Sequence, residues 1–464
     1  MRLKRLALGL ILAPSLGLAA ESEAVLELLK ALKAQGTIDE ATYQKVEQAL
    51  KQDRKEEQKI QEAVKKIEEQ PKVDTKGRFE VASPDGDFRW RIRGRLHLNG
   101  GFARNDDGQF VRSQFEDGVD VRRARVEVLG TVWKAWDFRF HYEFSGSDPE
   151  ADAGLRDIYI AYRFQDLPQK WPLMVMLGQF KEPLGLESLN SSNDMTFIER
   201  ALGSRVFHDF GGSSDGRRVG IGLFTHGHEL WTAQAAVFGK GAAGNDFGKD
   251  QDSDPLVFTG RFTVAPWHEE GKIVHLGMAG SWLRFDGPSN VRFRAVPEER
   301  IGEAIRFLDT GQLGGIETVV RLMPEAAVIY GPFSLQGEYQ RAQLDGKQAF
   351  TFDAWYAQAT WTLTGEPREY DFENALIRNP HPNTLVGKGG WGAWELATRY
   401  SKANLGDCHS PQCAAERNFT AGLNWYVNPN AKLMFNYVRV LDINKGTFKG
   451  VNPDFFEASA RLYF

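Results

Sequence analysis

From residue 88 onward the chain alternates apolar and polar residues with a period of two, run after run, to its C-terminus. In residues 88–99, Trp90, Ile92, Leu96 and Leu98 share one parity, and Arg89, Arg91, Arg93, Arg95, His97 and Asn99 share the other. A strand sends alternate side chains to opposite faces, so this run has an apolar face and a basic one. A helix would scatter the arginines around its circumference. The pattern recurs with Ala124, Val126 and Val128 against Arg123, Arg125 and Glu127, then with Phe138, Phe140, Tyr142 and Phe144 against Arg139, His141, Glu143 and Ser145. The last run sets Phe456, Ala458, Ala460, Leu462 and Phe464 against Glu457, Ser459 and Arg461. About sixteen such runs of roughly ten or more residues can be counted, a number that suits an all-β transmembrane fold, an antiparallel outer-membrane β-barrel of porin size.

The connections support that reading. Those around residues 134–135, 226–228, 266–271, 331–332 and 428–430 are short, whereas 104–117, 182–215, 240–253, 287–313 and 404–414 are long. Short turns at one end and long loops at the other are what outer-membrane barrels show. Residues 365–387 break the rule, being long where a short turn is due; they are either an elaborated turn or a sign that the count is off by a pair. A propeller would alternate too, but no repeat of 40–50 residues is visible.

No internal run of eighteen apolar residues exists, so the sequence offers no membrane-crossing helix. The mean hydropathy of −0.41 is compatible with a barrel, whose lipid face is hidden in the alternation. A net charge of −5 gives no case for nucleic-acid binding. Arg2, Lys4 and Arg5 followed by apolar residues 6–18 and a small-residue site read as a signal peptide over residues 1–20. Residues 21–70 carry apolar residues at spacings of three and four, split at Gly36 and ended before Pro71, and predict two helices. These form either a short coiled coil placed in the periplasm or a solvated charged helix. Residues 71–87 read as a linker, and the barrel occupies 88–464. Cys408 and Cys413, five apart in a Ser/Pro turn of an exported chain, predict a small loop disulfide.

If the apolar faces meet lipid, the basic faces line a lumen. Its candidate lining is Arg91, Arg93, Arg95, Arg123, Arg125 and Arg139, with arginine in surplus over acid although the whole chain is acidic. Guanidinium is charged at any relevant pH and offers oxyanions a planar donor fork, and rings of such residues favour anions. The competing reading is that these arginines pair with acids on the same wall and brace it. Residues 182–215 lack strand alternation yet hold Leu184, Leu186, Leu189, Phe197, Ile198, Leu202 and Phe207, too apolar for a disordered loop. They are expected to fold into the bore and narrow it, with Lys181, Arg200 and Arg218 at the constriction.

Several stretches, in order, resemble the phosphate-selective porin O and P family: RRARVEVLG (122–130), LGQFKEPLGLE (177–187), SSNDMTFIER (191–200), PWHEEGKIVHLG (266–277), YAQATWTLTGEPR (356–368), GAWELATRY (392–400) and LNWYVNPNAKLMFNYV (423–438). The resemblance spans about residues 78–464. It implies a sixteen-stranded outer-membrane barrel, usually a homotrimer, with its third long loop folded inside. It further implies passive diffusion of small polar solutes and anions, phosphate or other oxyanions among them. The terminal Phe464 has the form of the signal read by the barrel assembly machinery. Phosphate-selecting relatives place a lysine after the Ser-Ser of the inward loop, where this chain has Asn193. They place others before the YAQ strand, where it has Thr351, Phe352 and Asp353. The arginine wall is kept and these lysines are not.

No enzyme is expected, since no catalytic constellation stands out. His226 and His228 lie in a predicted turn without a third ligand, so neither metal nor cofactor is expected. The alternative function is a non-conducting structural barrel whose helical preface tethers or stabilises the envelope.

Overall fold

The computed structural model describes residues 15–75, 79–104, 117–145, 153–167, 171–208, 216–239, 255–300, 305–410 and 413–464, with side chains from residue 25. The first fourteen residues of the expected signal peptide lie outside that set. The chain divides into two compact units, Met1–Lys72 and Val73–Phe464.

In the first unit, helices Ser15–Ala34 and Glu40–Glu68 are joined by a tight turn. Asp39 caps the second helix, accepting the Thr42 N–H at 2.8 Å, and Lys33 meets Glu40 at 2.6 Å. The side-chain oxygen takes one of the N–H groups that a helix start leaves without a partner.

The second unit is a closed barrel. Among the described residues it has sixteen barrel strands: β1 (Phe88–Arg104), β2 (Gly118–Val132), β3 (Trp136–Glu143), β4 (Gly154–Arg163), β5 (Leu173–Lys181), β6 (Arg217–Gly227), β7 (Trp231–Phe238), β8 (Pro255–Glu269), β9 (Lys272–Val291), β10 (Leu313–Tyr330), β11 (Phe333–Gly346), β12 (Phe350–Thr362), β13 (Ala393–Asn404), β14 (Ala415–Asn428), β15 (Ala431–Ile443) and β16 (Asp454–Tyr463). Each pairs antiparallel with the next, and β16 closes on β1, with Asp454 opposite Arg104 and Tyr463 opposite Arg95. The sequence periodicity therefore counted the strands correctly.

The seam is finished by the chain end. Phe464 N–H donates to Gly94 O at 3.1 Å and Gly94 N–H donates to Phe464 O at 3.2 Å. Beyond it a short strand, Phe79–Ala82, takes over the edge of β1 (Phe79 opposite Ile92). The tip of the Phe464 ring abuts Gly94, where an added Cβ would clash with the ring's Cζ and Cε1.

Burial is inverted relative to a water-soluble protein. Leu96, Phe140, Ile160, Leu223, Phe262, Leu322 and Phe435 are exposed, while Arg123, Glu127, Arg261, Arg321, Glu395 and Arg399 are buried. Aromatic pairs cluster beside the short turns: Phe88–Trp133, Trp136–Tyr162, Trp267–Tyr330, Phe333–Trp361 and Trp394–Trp425. That is the interfacial girdle of a barrel spanning a bilayer. The turns are tight. Trp133 and Lys134 (φ 50° and 60°) and His228 and Glu229 (φ 53° and 55°) take left-handed conformations in three-residue loops, Val132 pairing with Trp136 and Gly227 with Trp231. His228 belongs to one of these turns, whereas His226 is the penultimate residue of β6, opposite Thr232.

Three segments fill much of the interior. Residues 182–208 enter after β5 and bury Leu184, Leu186, Phe197, Ile198, Leu202 and Phe207. Part of the β9–β10 connection also folds in, pairing Arg294–Ala295 with Leu308–Asp309 and burying Phe293, Phe307 and Leu308. The third enters from the short-turn end. Residues 365–387 are an elaborated turn, a hairpin of Arg368–Asp371 with Leu376–Pro380, and the strand count stands. Cys408 and Cys413 are disulfide-bonded, packed in one apolar cluster with Phe307 and Leu308.

Replacing Gly94 by Val forces the terminal ring off β1. Overpacking of this kind costs about 1–3 kcal/mol, so Gly94→Val should lower the temperature at which the folded, fast-migrating gel species converts to the unfolded one. An unchanged conversion temperature would show that the Phe464–Gly94 contact contributes nothing to closure.

Candidate functional site

The inward segment 182–208 is fastened by buried ion pairs and hydrogen bonds from several sides. Glu182, at its start, is shared by Arg218 at 2.6 Å and by Arg321, and Arg321 also donates to Phe207 O at 2.9 Å. Burial alone would raise the Glu182 carboxyl; Arg321 and then Arg218 outweigh it and bring it down to about 2. Glu199 meets Arg122 at 2.5 Å. Burial opposes its ionisation as well, and Arg122 and Arg123 hold it well below the usual carboxylate range.

From the wall, Arg461 donates to Ser192 O and Ile198 O at 2.7 and 2.9 Å. Lys432 donates to Met195 O at 2.9 Å. Arg399 links Glu187 to Glu298, on the inward part of the β9–β10 connection, at 3.3 and 2.6 Å. From the short-turn side, Arg378 of the hairpin meets Asp194 at 3.0 Å, and Asn190 donates to Ile377 O at 2.6 Å. The hairpin is itself held by Arg261, which donates to Asn374 O and Ala375 O, both at 2.9 Å.

What these segments leave open is a cavity of about 550 Å³ between residues 181–200 and the wall of strands β1–β7. Among the described residues lining it are nine cationic side chains, Arg93, Arg95, Arg123, Arg125, Arg139, Lys181, Arg200, Arg217 and Arg378, against three carboxylates, Glu127, Asp157 and Asp194. The pairing is incomplete. Glu127 serves Arg139 at 2.5 Å and Arg93 and Arg95 at 3.6 Å each. Asp157 serves Arg217 at 2.9 Å, His141 at 3.0 Å and Arg139 at 3.7 Å. Arg125 has its own acid in Glu143. Arg95 also reaches Ser192 Oγ at 3.1 Å and Ser191 Oγ at 3.4 Å. Arg123 is the exception: it is 2 % exposed, and its Nε and Nη1 are buried without a hydrogen-bond partner among the described residues. A guanidinium so placed has donors to offer a solute or water entering the cavity.

Seven of the nine cationic residues expected from the sequence thus meet at one cavity. Lys181 and Arg200 stand there in a double role, since both donate to loop carbonyls, Lys181 to Ser188 O and Asn190 O and Arg200 to Glu187 O and Asn190 O. The other two lie elsewhere. Arg91 lies away from the cavity, its guanidinium 3.9 Å from Glu80 on the short strand beside β1. Arg218 does not line it either; it is fully buried against Glu182 and acts as a loop anchor.

Arg122, Arg217, Arg378 and Lys432 were not expected. Arg122 turns inward because β1 and β2 shift register between His97 and Leu98, so that both members of the Arg122–Arg123 doublet face the bore, as a bulge permits. Strict alternation cannot see that. Arg378 sits on the unforeseen hairpin. Lys432 was legible, because it shares parity with Asn436, opposite to Leu433 and Phe435.

Comparison with known proteins points one way. Residues 91–464 match the family described as phosphate-selective porin O and P. Porin O of Pseudomonas aeruginosa is 27% identical over 402 residues, covering 79% of this chain and 86% of that protein. Among solved structures, an anion-selective porin from Comamonas acidovorans superposes with a TM-score of 0.51 at 12% identity, covering 81% of this chain and all of its own. A loop-deletion form of the outer-membrane protein OmpT of Vibrio cholerae gives 0.50 at 12%, covering 82% of this chain and all of its own.

The shared carboxylate of Glu182 supplies a test of how the inward segment is held. Glu182→Gln leaves two buried guanidinium groups without their counter-charge, and breaking a buried pair costs about 3–5 kcal/mol. The variant should show a lower unfolding temperature and faster proteolysis within residues 182–208. Because the carboxyl is depressed from 4.5 to about 2, its contribution is complete above 4.5 and lost as pH falls toward 2. The unaltered protein should therefore keep the loop protected at pH 4. Wild-type proteolysis rates in Glu182→Gln at neutral pH would refute the anchor.

Proposed function

The chain belongs to the phosphate-selective porin O and P family, and on that premise we propose that its arginine-walled cavity is the narrow part of a water-filled path with a modest preference for small anions. The protein is a channel of the outer membrane and not an enzyme. The observation carrying the proposal is the charge of the lining, nine cations to three carboxylates. Confined between low-dielectric walls, that surplus attracts anions more strongly than it would in open water. The buried, partnerless N–H groups of Arg123 mark where a passing oxyanion gains most.

Tight selection of phosphate is not part of the proposal. Asn193 engages His97, its Oδ1 at 3.0 Å from Nε2, and so brings no charge to the constriction. Phe352 is fully buried in apolar surroundings. The remaining constriction cations, Lys181 and Arg200, are engaged by loop carbonyls. We read the assembly as a homotrimer in outer-membrane lipid, with Phe464 offered to the barrel assembly machinery. We read the N-terminal helices as periplasmic, a reading supported by β1 beginning at the short-turn end, where Phe88 lies opposite Val132.

Purified protein in a planar bilayer should give discrete conductance steps; silence at every voltage would favour the non-conducting barrel instead. In a potassium chloride gradient the reversal potential should carry the sign of chloride. Arg123→Glu should move it toward zero or past it, while millimolar phosphate should leave chloride conductance nearly unchanged. A cation-selective wild type would overturn the reading, as would an Arg123→Glu channel with unaltered selectivity.

A further inference from the structure

The helix Glu40–Glu68 carries a seam whose two halves are treated differently. Tyr43, Val46, Leu50, Asp53, Glu57, Ile60, Val64 and Ile67 follow one another at steps of three and four, the a and d positions of a heptad. In the first half, Tyr43, Val46 and Leu50 are partly covered, and Leu29 of the preceding helix is buried. Lys33 of that helix lies 4.3 Å over the Tyr43 ring. In the second half Ile60 is 58% exposed and Ile67 68%.

The reason is length. The 20-residue first helix rises about 30 Å. The 29-residue second helix rises about 44 Å. Running back antiparallel from the turn, the first helix cannot reach the end of the seam, and removal of residues 1–20 would shorten it further.

We propose that Ile60, Val64 and Ile67 form an interface among three copies of this chain, packed as a short parallel three-stranded coil, while the first half of the seam is closed within each copy. Three features support three copies of this chain as the occupant. The seam positions of this half, exposed at d (Ile60 and Ile67) and half-covered at a (Val64), are all β-branched, a choice that favours three strands over two. The positions flanking the seam are Gln61, Ala63, Glu68 and Gln70, while Lys59, Glu62, Lys65 and Lys66 fall on the outer positions. Partner helices can therefore approach without opposing like charges. Asp53 and Glu57 divide the halves, and acidic side chains at consecutive core positions end the three-stranded packing where the helical hairpin begins. The proposal rests on the homotrimer reading above, and the experiment separates the two.

Single cysteines at Val64 and at Glu62 test it in the full-length protein, since Cys408 and Cys413 are already bonded to each other. At an a position of a parallel coil the thiols lie within disulfide reach; at the outer position they do not. Mild copper-phenanthroline oxidation of intact outer membranes should give about tenfold more covalent dimer for Val64→Cys than for Glu62→Cys on a non-reducing denaturing gel. Light scattering of each variant in detergent gives the copy number independently. Trimers in which the two cysteines cross-link equally, or in which Val64→Cys does not cross-link, would overturn the coil and leave the trimer standing. A monomeric mass would overturn both.

Discussion

A strand that crosses hydrocarbon has nowhere to put an unpaired N–H or C=O. Every other feature of this barrel follows from meeting that demand. Sixteen strands pair in sequence and β16 returns to β1, so no edge is left in the membrane. The closing pair extends to the last residue, with Phe464 and Gly94 exchanging both backbone hydrogen bonds. Alternation then assigns every second side chain to lipid and the rest to the interior, whether or not the interior has partners ready for them.

The interior has too many cations for its wall acids, and the inward segments supply the balance. Glu182, Glu187, Glu199 and Asp194 on the first segment, and Glu298 on the second, are carboxylates delivered from loops to arginines on strands or hairpin. Desolvation makes a lone buried charge far costlier than a paired one, so each anchor also fixes where the loop lies. The surplus that remains is concentrated on one side of the bore, around Arg95, Arg123 and Arg139. On the proposed reading, functional charge is what is left over after structural charge has been paired.

That division explains what the sequence could and could not disclose. Strand number, strand faces and the inward course of residues 182–208 were legible because a period of two is imposed by geometry at every residue of a lipid-facing wall. The roles of individual arginines were not. Arg123 and Arg218 have the same parity signal, yet Arg218 is consumed by Glu182, a residue 36 positions away, while Arg123 keeps two donors free. Arg122 escaped because a bulge suspends the period for one residue. The hairpin at 368–380 was visible only as a turn of the wrong length, and its insertion depends on long-range contacts such as Arg261 with Asn374 and Ala375.

The same reasoning bears on Asn193. A lysine there would add charge to the lining of the cavity, but it would also face His97, Arg95 and the Arg461 guanidinium that grips the neighbouring Ser192 carbonyl. Asparagine instead meets His97 through its side-chain oxygen and gives its own carbonyl to Asn379 of the hairpin at 2.8 Å. The position is therefore committed to joining wall, loop and hairpin. A neutral side chain can satisfy that joint without adding a further cation to a crowded set, and on the proposed reading it leaves selectivity to a diffuse field from the wall. Diffuse fields favour one sign of charge but cannot distinguish among anions of similar size, which is the physical basis for expecting a broad filter here and not a tight binding site.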